Sequence, residues 1–256
     1  MKQQKMYSAQ HRIGNSGADS CKLNICNSIG HLCKVWADVF QMPHHRQYVA
    51  ISSNFRQPTK NSNMTEIWKT IELKLAEIAP EILNNLNDGV SEEEVKNLEG
   101  LLNAKLPSDF IAFYKIHNGQ YIDSAGLIEC EELLSFDRII DEWKVWKALL
   151  DSKDFEDEKG AYTSTPDNGI KNNWWNALWI PITFDGSGNH YCLDLDPEKG
   201  GNYGQIIRMW HDDPTRSLEA LSFKEWITNY KNKLVNGQLV YSEDYCGIIN
   251  KEDLNE

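Results

Sequence analysis

Four side chains could do acid–base or nucleophilic chemistry: three imidazoles as general bases and one thiol as a nucleophile. They are His117, His190, His211 and Cys192. A catalytic nucleophile needs a base that a third group holds in orientation, and the spacing of these residues provides none. His117 also precedes Asn118-Gly119 at a predicted helix end, where a cation interacts well with the helix dipole. We therefore predict structural roles for them and no catalytic residue.

Two other groups of residues have the donor atoms of a metal site. Six near the N-terminus could in principle bind zinc: Cys21, Cys26, His31, Cys33, His44 and His45. Their spacings match no standard pair of chelating motifs, which favours chance clustering. The oxygens of Asp185 to Asn189, Asp194 and Asp196 would suit calcium, but the ligand order of an EF-hand is missing and a hairpin turn explains them. Gly200 to Gly204 leads into a strand, not into a phosphate-binding helix. We predict neither a metal nor a cofactor.

Carboxylates and tryptophans form the remaining candidate site. They occur on a charged loop, around two turns and beside the predicted strands: Asp154, Glu156, Asp157, Glu158, Trp174, Trp175, Asp194, Asp196, Glu198, Trp210, Asp212 and Asp213. Ordinary solvated charge would also explain the carboxylates, and this alternative stays open. Aromatic anchors inside a charged rim are nevertheless how tight protein interfaces are built, and opposite charge speeds encounter. We predict that these residues bind a partner protein.

The strands that must position these residues follow one another from Trp179. The run from Trp179 to Phe184 is aromatic and β-branched, and Asp185-Gly186-Ser187-Gly188 supplies the positive φ angles of a tight reversal. Tyr191 to Leu195 alternates apolar and polar residues, and Gln205 to Trp210 resumes this pattern after a turn rich in glycine. The segment predicts three consecutive antiparallel strands.

Helices are predicted on both sides of these strands from apolar residues at helical spacing. They cover Trp68 to Ile82, Ser91 to Leu102, Pro107 to Asn118, Phe136 to Leu150 and Ser222 to Leu234, and Ile128 to Leu134 is a predicted strand. Ser91 with Glu94 and Ser222 with Glu225 have the spacing of helix caps. The order of elements predicts an α+β fold, a single domain in which an antiparallel meander sheet is packed by N-terminal helices and a C-terminal helix.

The motifs on these elements resemble the Smi1/Knr4 (SUKH) superfamily. Those in the strand region are Trp179, Pro181, Asp185-Gly186-Ser187-Gly188, Cys192-Leu193-Asp194-Leu195, Pro197, Gly201, Gly204-Gln205-Ile206-Ile207, Asp212, Ser222-Phe223 and Trp226-Ile227. A second ordered set runs from Gly89 to Gly119 and includes Gly89-Val90-Ser91-Glu92, Leu106-Pro107 and His117-Asn118-Gly119. The resemblance covers roughly Met64 to Leu234, which is most of the chain.

The resemblance implies a protein that binds other proteins. Bacterial members are described as immunity proteins that neutralise toxins, often basic nucleases, by covering them. Fungal members resemble scaffolds that coordinate cell-wall synthesis and signalling. We expect a non-enzymatic immunity protein with a basic toxin domain as its partner, with the regulatory scaffold as the alternative and an enzyme as the third interpretation.

The two ends of the chain differ in composition from the rest. Residues 1–63 carry eight basic and two acidic side chains, a net charge of +6, whereas the remainder carries −18. The segment has no sustained apolar period, so we predict a disordered extension or an upstream mis-start before Met64. We assign 64–236 to the SUKH-like domain and 237–256 to a C-terminal tail. Seven of the nine residues 151–159 are charged, so 151–173 is predicted to be a mobile loop.

The composition limits where the chain can be located and what it can bind. No apolar run approaches the roughly 20 residues of a membrane helix, so we expect a soluble protein without a membrane partner. Cys130, Cys192 and Cys246 are widely scattered, which favours reduced thiols in the cytoplasm. The formal net charge of −12 would repel phosphates and argues against nucleic acid. The sequence does not set the oligomeric state.

Overall fold

A computed structural model of the chain describes the backbone of residues 60–255 and the side chains of residues 64–254. The α-helices in this range are α1 (Lys60–Ile78), α2 (Pro80–Asn84), α3 (Glu92–Leu102), α4 (Ser108–Tyr114), α5 (Phe136–Asp151) and α6 (Phe223–Val235), and a 3-10 helix spans Lys251–Asn255. The strands are β1 (Glu132–Leu133), β2 (Glu156–Asp157), β3 (Gly160–Ala161), β4 (Thr165–Pro166), β5 (Trp179–Pro181), β6 (Thr183–Phe184), β7 (His190–Asp194), β8 (Gln205–Met209), β9 (Thr215–Ala220), β10 (Leu239–Ser242) and β11 (Gly247–Asn250). The predicted α+β class is confirmed.

The central sheet has the order β4-β9-β8-β7-β5. Its strands are antiparallel except for β4, which pairs in parallel with β9. Asp194 of β7 lies opposite Gln205 of β8, and His190 lies opposite Met209 at the other end of the same pair. After β5 the chain continues through Ile182 into β6, which pairs with β1. The antiparallel meander predicted from Trp179 onward is thus confirmed.

Both faces of the sheet are covered by helices. Neighbouring residues of a strand point to opposite sides, so contacts of His190 and Tyr191 report on the two faces of β7. His190 accepts a hydrogen bond from the Trp146 indole, so α5 lies on one face of β7. Tyr191 packs against Trp226 with ring centroids 5.5 Å apart, so α6 lies on the other face. This arrangement explains why every residue of β8 is buried.

The helices meet in an aromatic cluster beside the sheet. Phe110, Phe113 and Tyr114 of α4 contact Phe223 of α6 and, through Phe110 and Tyr114, Phe136 of α5. Aromatic side chains bury large apolar areas, so this cluster is a major source of the stability of the helical layer. It joins α4 and α5 to α6 near the end of the described chain.

Two helix caps, at Ser91 and Ser222, are those that the sequence predicts, whereas the helix predicted from Pro107 to Asn118 already ends at Tyr114. Ser91 and Glu94 form a reciprocal capping box at α3, and the Ser222 hydroxyl accepts from the Glu225 amide at α6. The helix predicted from Trp68 to Ile82 is instead interrupted before Pro80, where Ala79 leaves helical geometry with φ −154°. Proline lacks an amide hydrogen and disfavours helical geometry in the residue before it, so α1 ends and α2 begins there.

Two segments have more regular structure than the sequence indicates. The stretch 151–173, interpreted as a mobile loop, contains the β2–β3 hairpin and β4, and Phe155 and Ile170 in it are buried. The stretch 237–256, interpreted as a tail, forms the β10–β11 hairpin, with Leu239 and Ile248 in the core. A few apolar side chains are enough to anchor each segment.

The structure describes only the last four residues of the predicted N-terminal extension. Lys60 to Asn63 belong to α1, and the rest of the predicted extension, with its cysteines and histidines, lies outside the described residues. Within the part of the chain that is described, no helix is both long and apolar enough to cross a bilayer.

Candidate functional site

Four predicted partner-binding carboxylates lie on or beside the β2–β3 hairpin. Asp157 and Glu158 are exposed, and Asp154 and Glu156 are half-buried. Phe155 between them is buried, and its ring stacks on Trp146 at 5.8 Å. The hairpin therefore holds its carboxylates on a fixed base, where sequence analysis predicts a mobile loop.

A fully buried arginine joins this hairpin to two more of the predicted residues. Arg216 donates to the carbonyl oxygens of Asp213 at 2.6 Å and of Trp174 at 2.7 Å, and its guanidinium lies 5.4 Å from the centre of the Trp174 ring. Trp174 in turn contacts Tyr162, which follows the hairpin. Burial lowers the pKa of Arg216 to about 10, so the side chain stays cationic at neutral pH. We call the carboxylates on or beside the hairpin and those of the turn that Arg216 links to the half-buried Trp174 the acidic face: Asp154, Glu156, Asp157, Glu158, Asp212 and Asp213.

Trp175 and Asp194 are interior residues, which corrects their predicted place on the surface. Trp175 is only 3% exposed and stacks on Trp146. The Asp194 carboxylate is buried and accepts hydrogen bonds from the Gln205 side chain and the Asp196 amide. Trp175 points inward because its ring packs against Trp146 of α5. Asp194 is buried although it is polar, because its carboxylate accepts a hydrogen bond from Gln205 on the adjacent strand.

The other predicted residues lie apart from the acidic face. Asp196 pairs with Lys171 at 2.6 Å, and this ion pair, with a hydrogen bond from Asn176, outweighs burial and lowers its pKa. Glu198 is exposed nearby. This group follows the Asp194 end of β7, whereas Asp212 and Asp213 follow the opposite end of the paired strand β8. Trp210 is half-buried, with the Arg208 guanidinium 4.3 Å from the centre of its ring.

His190 and Cys192 have the contacts of structural residues. The His190 ring accepts from the Trp146 indole at Nε2, and an indole can only donate, so Nδ1 carries the proton and donates to the Thr183 carbonyl oxygen at 2.6 Å. Burial lowers the pKa of His190 to about 4 and raises the pKa of the Cys192 thiol. The imidazole keeps no free lone pair with which to activate a nucleophile.

The other two histidines also have structural partners. The His117 ring contacts the Glu72 carboxylate at 2.8 Å and the Asn87 carbonyl oxygen at 3.0 Å, so it links the segment after α4 to α1. The His211 ring bonds to the Asn189 side chain at 2.9 Å. These contacts tie together loops at two ends of the domain.

We expect the Cys192 thiol to react with iodoacetamide at pH 8 at least about 100-fold more slowly in the folded protein than in the urea-unfolded protein. The reason is that burial raises its pKa and blocks access. Peptide mapping by mass spectrometry measures the rate at this cysteine alone. Equal rates in the two states would show an accessible, activated thiol.

In the turn that was considered for calcium, the Asp185 carboxylate is engaged by hydrogen bonds within the turn itself. The Asp185 carboxylate accepts from the backbone amides of Ser187 and Asn189 and from the Asn189 side chain. Gly186 and Gly188 have φ of 87° and 101°, which explains the glycines of this motif. Among residues 64–254, no three histidine, cysteine, aspartate or glutamate side chains group as metal ligands would. The cysteines and histidines considered for zinc lie outside the described residues.

A pocket that sequence analysis does not identify lies between α6 and the sheet. It has a volume of about 130 Å³ and is lined by aromatic and charged side chains, which include Glu129, Tyr191, Glu219, Trp226, Tyr230 and Lys233. Tyr191 and Trp226 have the spacing of ordinary core residues, so their pattern gives no sign of a pocket. The available signal is Lys233, which follows Trp226 and Tyr230 at helical spacing and places a cation on the apolar stripe of α6.

A strained turn presents the first carboxylate of this pocket. Glu129 and Cys130 have φ of 49° and 65°, and Ile128 pairs with Glu131 on either side of them. Positive φ at both central positions is what a type I′ turn needs, normally with asparagine or glycine. The Glu129 carboxylate accepts from the Tyr191 hydroxyl at 2.7 Å and pairs with Lys233 at 2.9 Å. Burial alone would raise the pKa of Glu129, but these contacts outweigh burial and hold the pKa below its usual value.

The second carboxylate of the pocket, that of Glu219, also lies at an irregular point of the backbone. Ile206 and Ile207 of β8 face Ala220 and Leu218 of β9, so Glu219 is the extra residue of a bulge. Bulges re-aim side chains and are frequent beside functional sites. Glu219 is exposed and lines the pocket.

A buried ion pair lies on the other side of Tyr191. The Arg208 guanidinium is 4.6 Å from the centre of the Tyr191 ring and pairs with Glu131 at 2.6 Å. Thr183 donates its hydroxyl hydrogen to the same carboxylate. Burial outweighs both contacts and raises the pKa of Glu131 to about 7. Tyr191 thus contacts the pocket through its hydroxyl and the ion pair through its ring.

The sequence of the chain matches a protein-family profile. A sequence profile described as the SMI1 / KNR4 family (SUKH-1) matches residues 89–229, which is just over half of the chain. The matched range begins just before α3 and ends within α6. It includes the whole acidic face, but Tyr230 and Lys233 of the pocket lie just beyond it.

Of three similar proteins, two carry the names of regulators. The chain is 26% identical over 215 residues to "Glucan synthesis regulatory protein" of Neurospora crassa, covering 69% of this chain and 39% of that protein. It is 23% identical over 225 residues to "Cell wall assembly regulator SMI1" of Saccharomyces cerevisiae, with shares of 74% and 45%. It is also 25% identical over 178 residues to "F-box only protein 3" of Mus musculus, with shares of 66% and 33%. The chain spans less than half the length of each of these relatives.

Proposed function

Because the chain belongs to the SMI1/KNR4 family (SUKH-1), we propose that it is a non-enzymatic module that binds a basic protein partner and regulates cell-wall assembly or signalling. The names of two fungal relatives support the regulatory role. The proposal includes a cytoplasmic location, because buried reduced thiols such as that of Cys192 are usual there.

The acidic face is the observation that carries this proposal. Its hairpin is anchored by Phe155, and Arg216 fixes Trp174 and the turn at Asp213 beside it. A rigid surface loses little conformational entropy on binding. Carboxylates around a half-buried aromatic ring suit a basic protein surface, since complementary charge raises the rate of encounter.

Inhibition of a basic toxin by occlusion, the main interpretation of the sequence, would use the same surface. The charge of the domain is compatible with it, but the relatives favour the regulatory alternative, because their names refer to glucan synthesis and cell-wall assembly. We therefore propose the regulator first. Growth protection by the chain against a co-expressed toxin from a neighbouring gene would favour the immunity interpretation instead.

Reversing Asp154, Glu156, Asp157 and Glu158 to lysine should slow association with the partner roughly 10- to 100-fold at low salt, because steering depends on the local field. The partner is first recovered from cells of the source organism with a photo-crosslinking residue at Lys159, on the hairpin. Association rates of the purified pair are then measured by stopped flow at several salt concentrations.

A matched variant separates the acidic face from net charge. Reversal of Glu66, Glu93, Asp141 and Glu252, which are exposed elsewhere, changes the total charge equally. We expect it to slow association far less. Equal slowing by both variants would contradict the acidic face, and failure of the wild-type chain to capture any protein would contradict the proposed function.

A further inference from the structure

We propose that the pocket between α6 and the sheet binds an arginine side chain of the partner protein. The inference rests on the proposed protein-binding function and names the chemistry of one contact. The pocket is separate from the acidic face in its residues: Glu129, Glu219 and Lys233 provide its charges, and Tyr191, Trp226 and Tyr230 provide its aromatic walls.

The volume of the pocket limits its occupant to about one side chain. At about 130 Å³ it is well below the roughly 300 to 1,000 Å³ of typical small-molecule sites. A nucleotide or a sugar chain therefore does not fit inside it, whereas the end of a long side chain does. Two of its lining residues, Glu219 and Lys233, reach solvent, so an occupant can enter from outside.

The aromatic walls favour a flat cation. Tyr191 and Trp226 lie against each other, with ring centroids 5.5 Å apart, and Tyr230 lies one helical turn after Trp226. Cations are attracted to the faces of such rings, and arginine, with its planar and weakly hydrated guanidinium, stacks on them well. The Arg208 guanidinium already covers the Tyr191 ring, 4.6 Å from its centre, so an occupant would contact Trp226, Tyr230 and the Tyr191 hydroxyl.

The two carboxylates select for positive charge. Glu129 is held by a turn with two positive φ angles, and Glu219 is the extra residue of a bulge. Both backbone irregularities, on separate elements, place a carboxylate at the same pocket. A guanidinium can donate to two carboxylate oxygens at once, so arginine suits this pair better than the compact ammonium of lysine.

Lys233 already pairs with the carboxylate that the arginine of the partner would bind. Its ammonium pairs with Glu129 at 2.9 Å, although 43% of the side chain remains exposed. Lys233 can move into water when a second cation takes its place, whereas the Glu129 carboxylate, only 25% exposed, needs a cationic partner. The chain thus supplies its own cation at a site that a partner arginine can take over.

The test is a titration of the full chain with Ac-Gly-Arg-Gly-NH2, followed by the NMR signal of the Trp226 indole and the amides of α6. We expect saturable shifts at these positions with a dissociation constant on the order of millimolar, since one side chain gives limited affinity. The citrulline peptide has the same shape without the charge and should bind at least about 5-fold more weakly. The lysine peptide should also bind more weakly. Equal binding of the citrulline peptide, or tighter binding of the lysine peptide, would overturn the inference.

Three variants locate the site. Glu219→Gln should weaken binding of the arginine peptide roughly 5-fold, because it removes a charge-assisted acceptor. Lys233→Gln should strengthen binding roughly 3-fold or more, because it removes the competing cation. Glu93→Gln removes a similarly exposed carboxylate on α3 and should change nothing. Backbone spectra of each variant verify the fold, and unchanged or weaker binding by Lys233→Gln would overturn the assignment of this pocket.

The titration needs no partner, so the two proposals fail separately. If the peptide does not bind while the wild-type chain still captures its partner by crosslinking, the pocket inference is wrong and the proposed function stands. If the chain captures no protein, the proposed function is wrong whatever the peptide does.

Discussion

Replacing Arg208 with methionine should lower the free energy of unfolding by about 3 to 5 kcal/mol, because it leaves the buried Glu131 carboxylate without its ion-pair partner. Methionine keeps the apolar stem between Tyr191 and Trp210, so lost packing adds little to this cost. The effect is measured by urea unfolding at pH 8. Replacing both charges, in Glu131→Gln with Arg208→Met, should cost less than about 2 kcal/mol, because no buried charge then remains unpaired.

The cost of Arg208→Met should also depend on pH. Burial raises the pKa of Glu131 from 4.5 to about 7 in the folded protein, so the stability linked to this proton is fully present below pH 4.5 and is lost as the pH rises through 7. Without Arg208 the folded pKa rises further. We therefore expect the variant to lose more stability at pH 8 than at pH 5.5, and a cost independent of pH would contradict an unpaired carboxylate.

Replacing Trp68 with alanine should lower the free energy of unfolding by about 3 to 5 kcal/mol, the usual cost of deleting a large core aromatic. The side chain is fully buried, stacks on Phe113 at 4.5 Å and donates its indole hydrogen to the Phe113 carbonyl oxygen. Because α1 precedes the range matched by the family, a large effect would show that the folded unit begins upstream of residue 89. Urea unfolding followed by circular dichroism measures it.

A control on the same helix separates packing from helix propensity. Leu73 is 65% exposed, and Leu73→Ala should change the stability by less than about 0.5 kcal/mol. Trp68→Phe keeps an aromatic ring but loses the hydrogen bond, so we expect an intermediate cost of about 1 to 2 kcal/mol. A cost for Trp68→Ala no larger than that of Leu73→Ala would show that α1 does not share the core.

Local patterns predicted much of the fold because several signals agree at the same residues. Ser91 with Glu94 and Ser222 with Glu225 mark helix starts that the structure confirms. The strand β9 was missed, since its inward position 216 is an arginine and the bulge at Glu219 interrupts the alternation. Alternation in the sequence cannot reveal a buried arginine that donates to backbone carbonyl groups, one of which, at Trp174, lies 42 positions away.

The candidate site was predicted less completely, for a related reason. Charge runs identified the carboxylates of the β2–β3 hairpin, but burial of Trp175 and Asp194 depends on where α5 crosses the sheet. The pocket depends on a turn at Glu129 that brings a carboxylate to Lys233, a residue 104 positions away in the sequence. Composition and residue spacing do not show that Glu129 and Lys233 come into contact, because this contact depends on how the fold packs.

The prolines of the outermost strands limit how a partner can attach. Pro166 lies in β4 and Pro181 in β5, and these strands are the two edges of the five-stranded sheet. Proline has no amide hydrogen to donate, and such residues discourage the pairing of edges between molecules. Recruitment by β-augmentation, in which a guest peptide extends the sheet, is therefore disfavoured at both margins. A partner that binds at these margins is therefore expected to contact side chains rather than to extend the sheet.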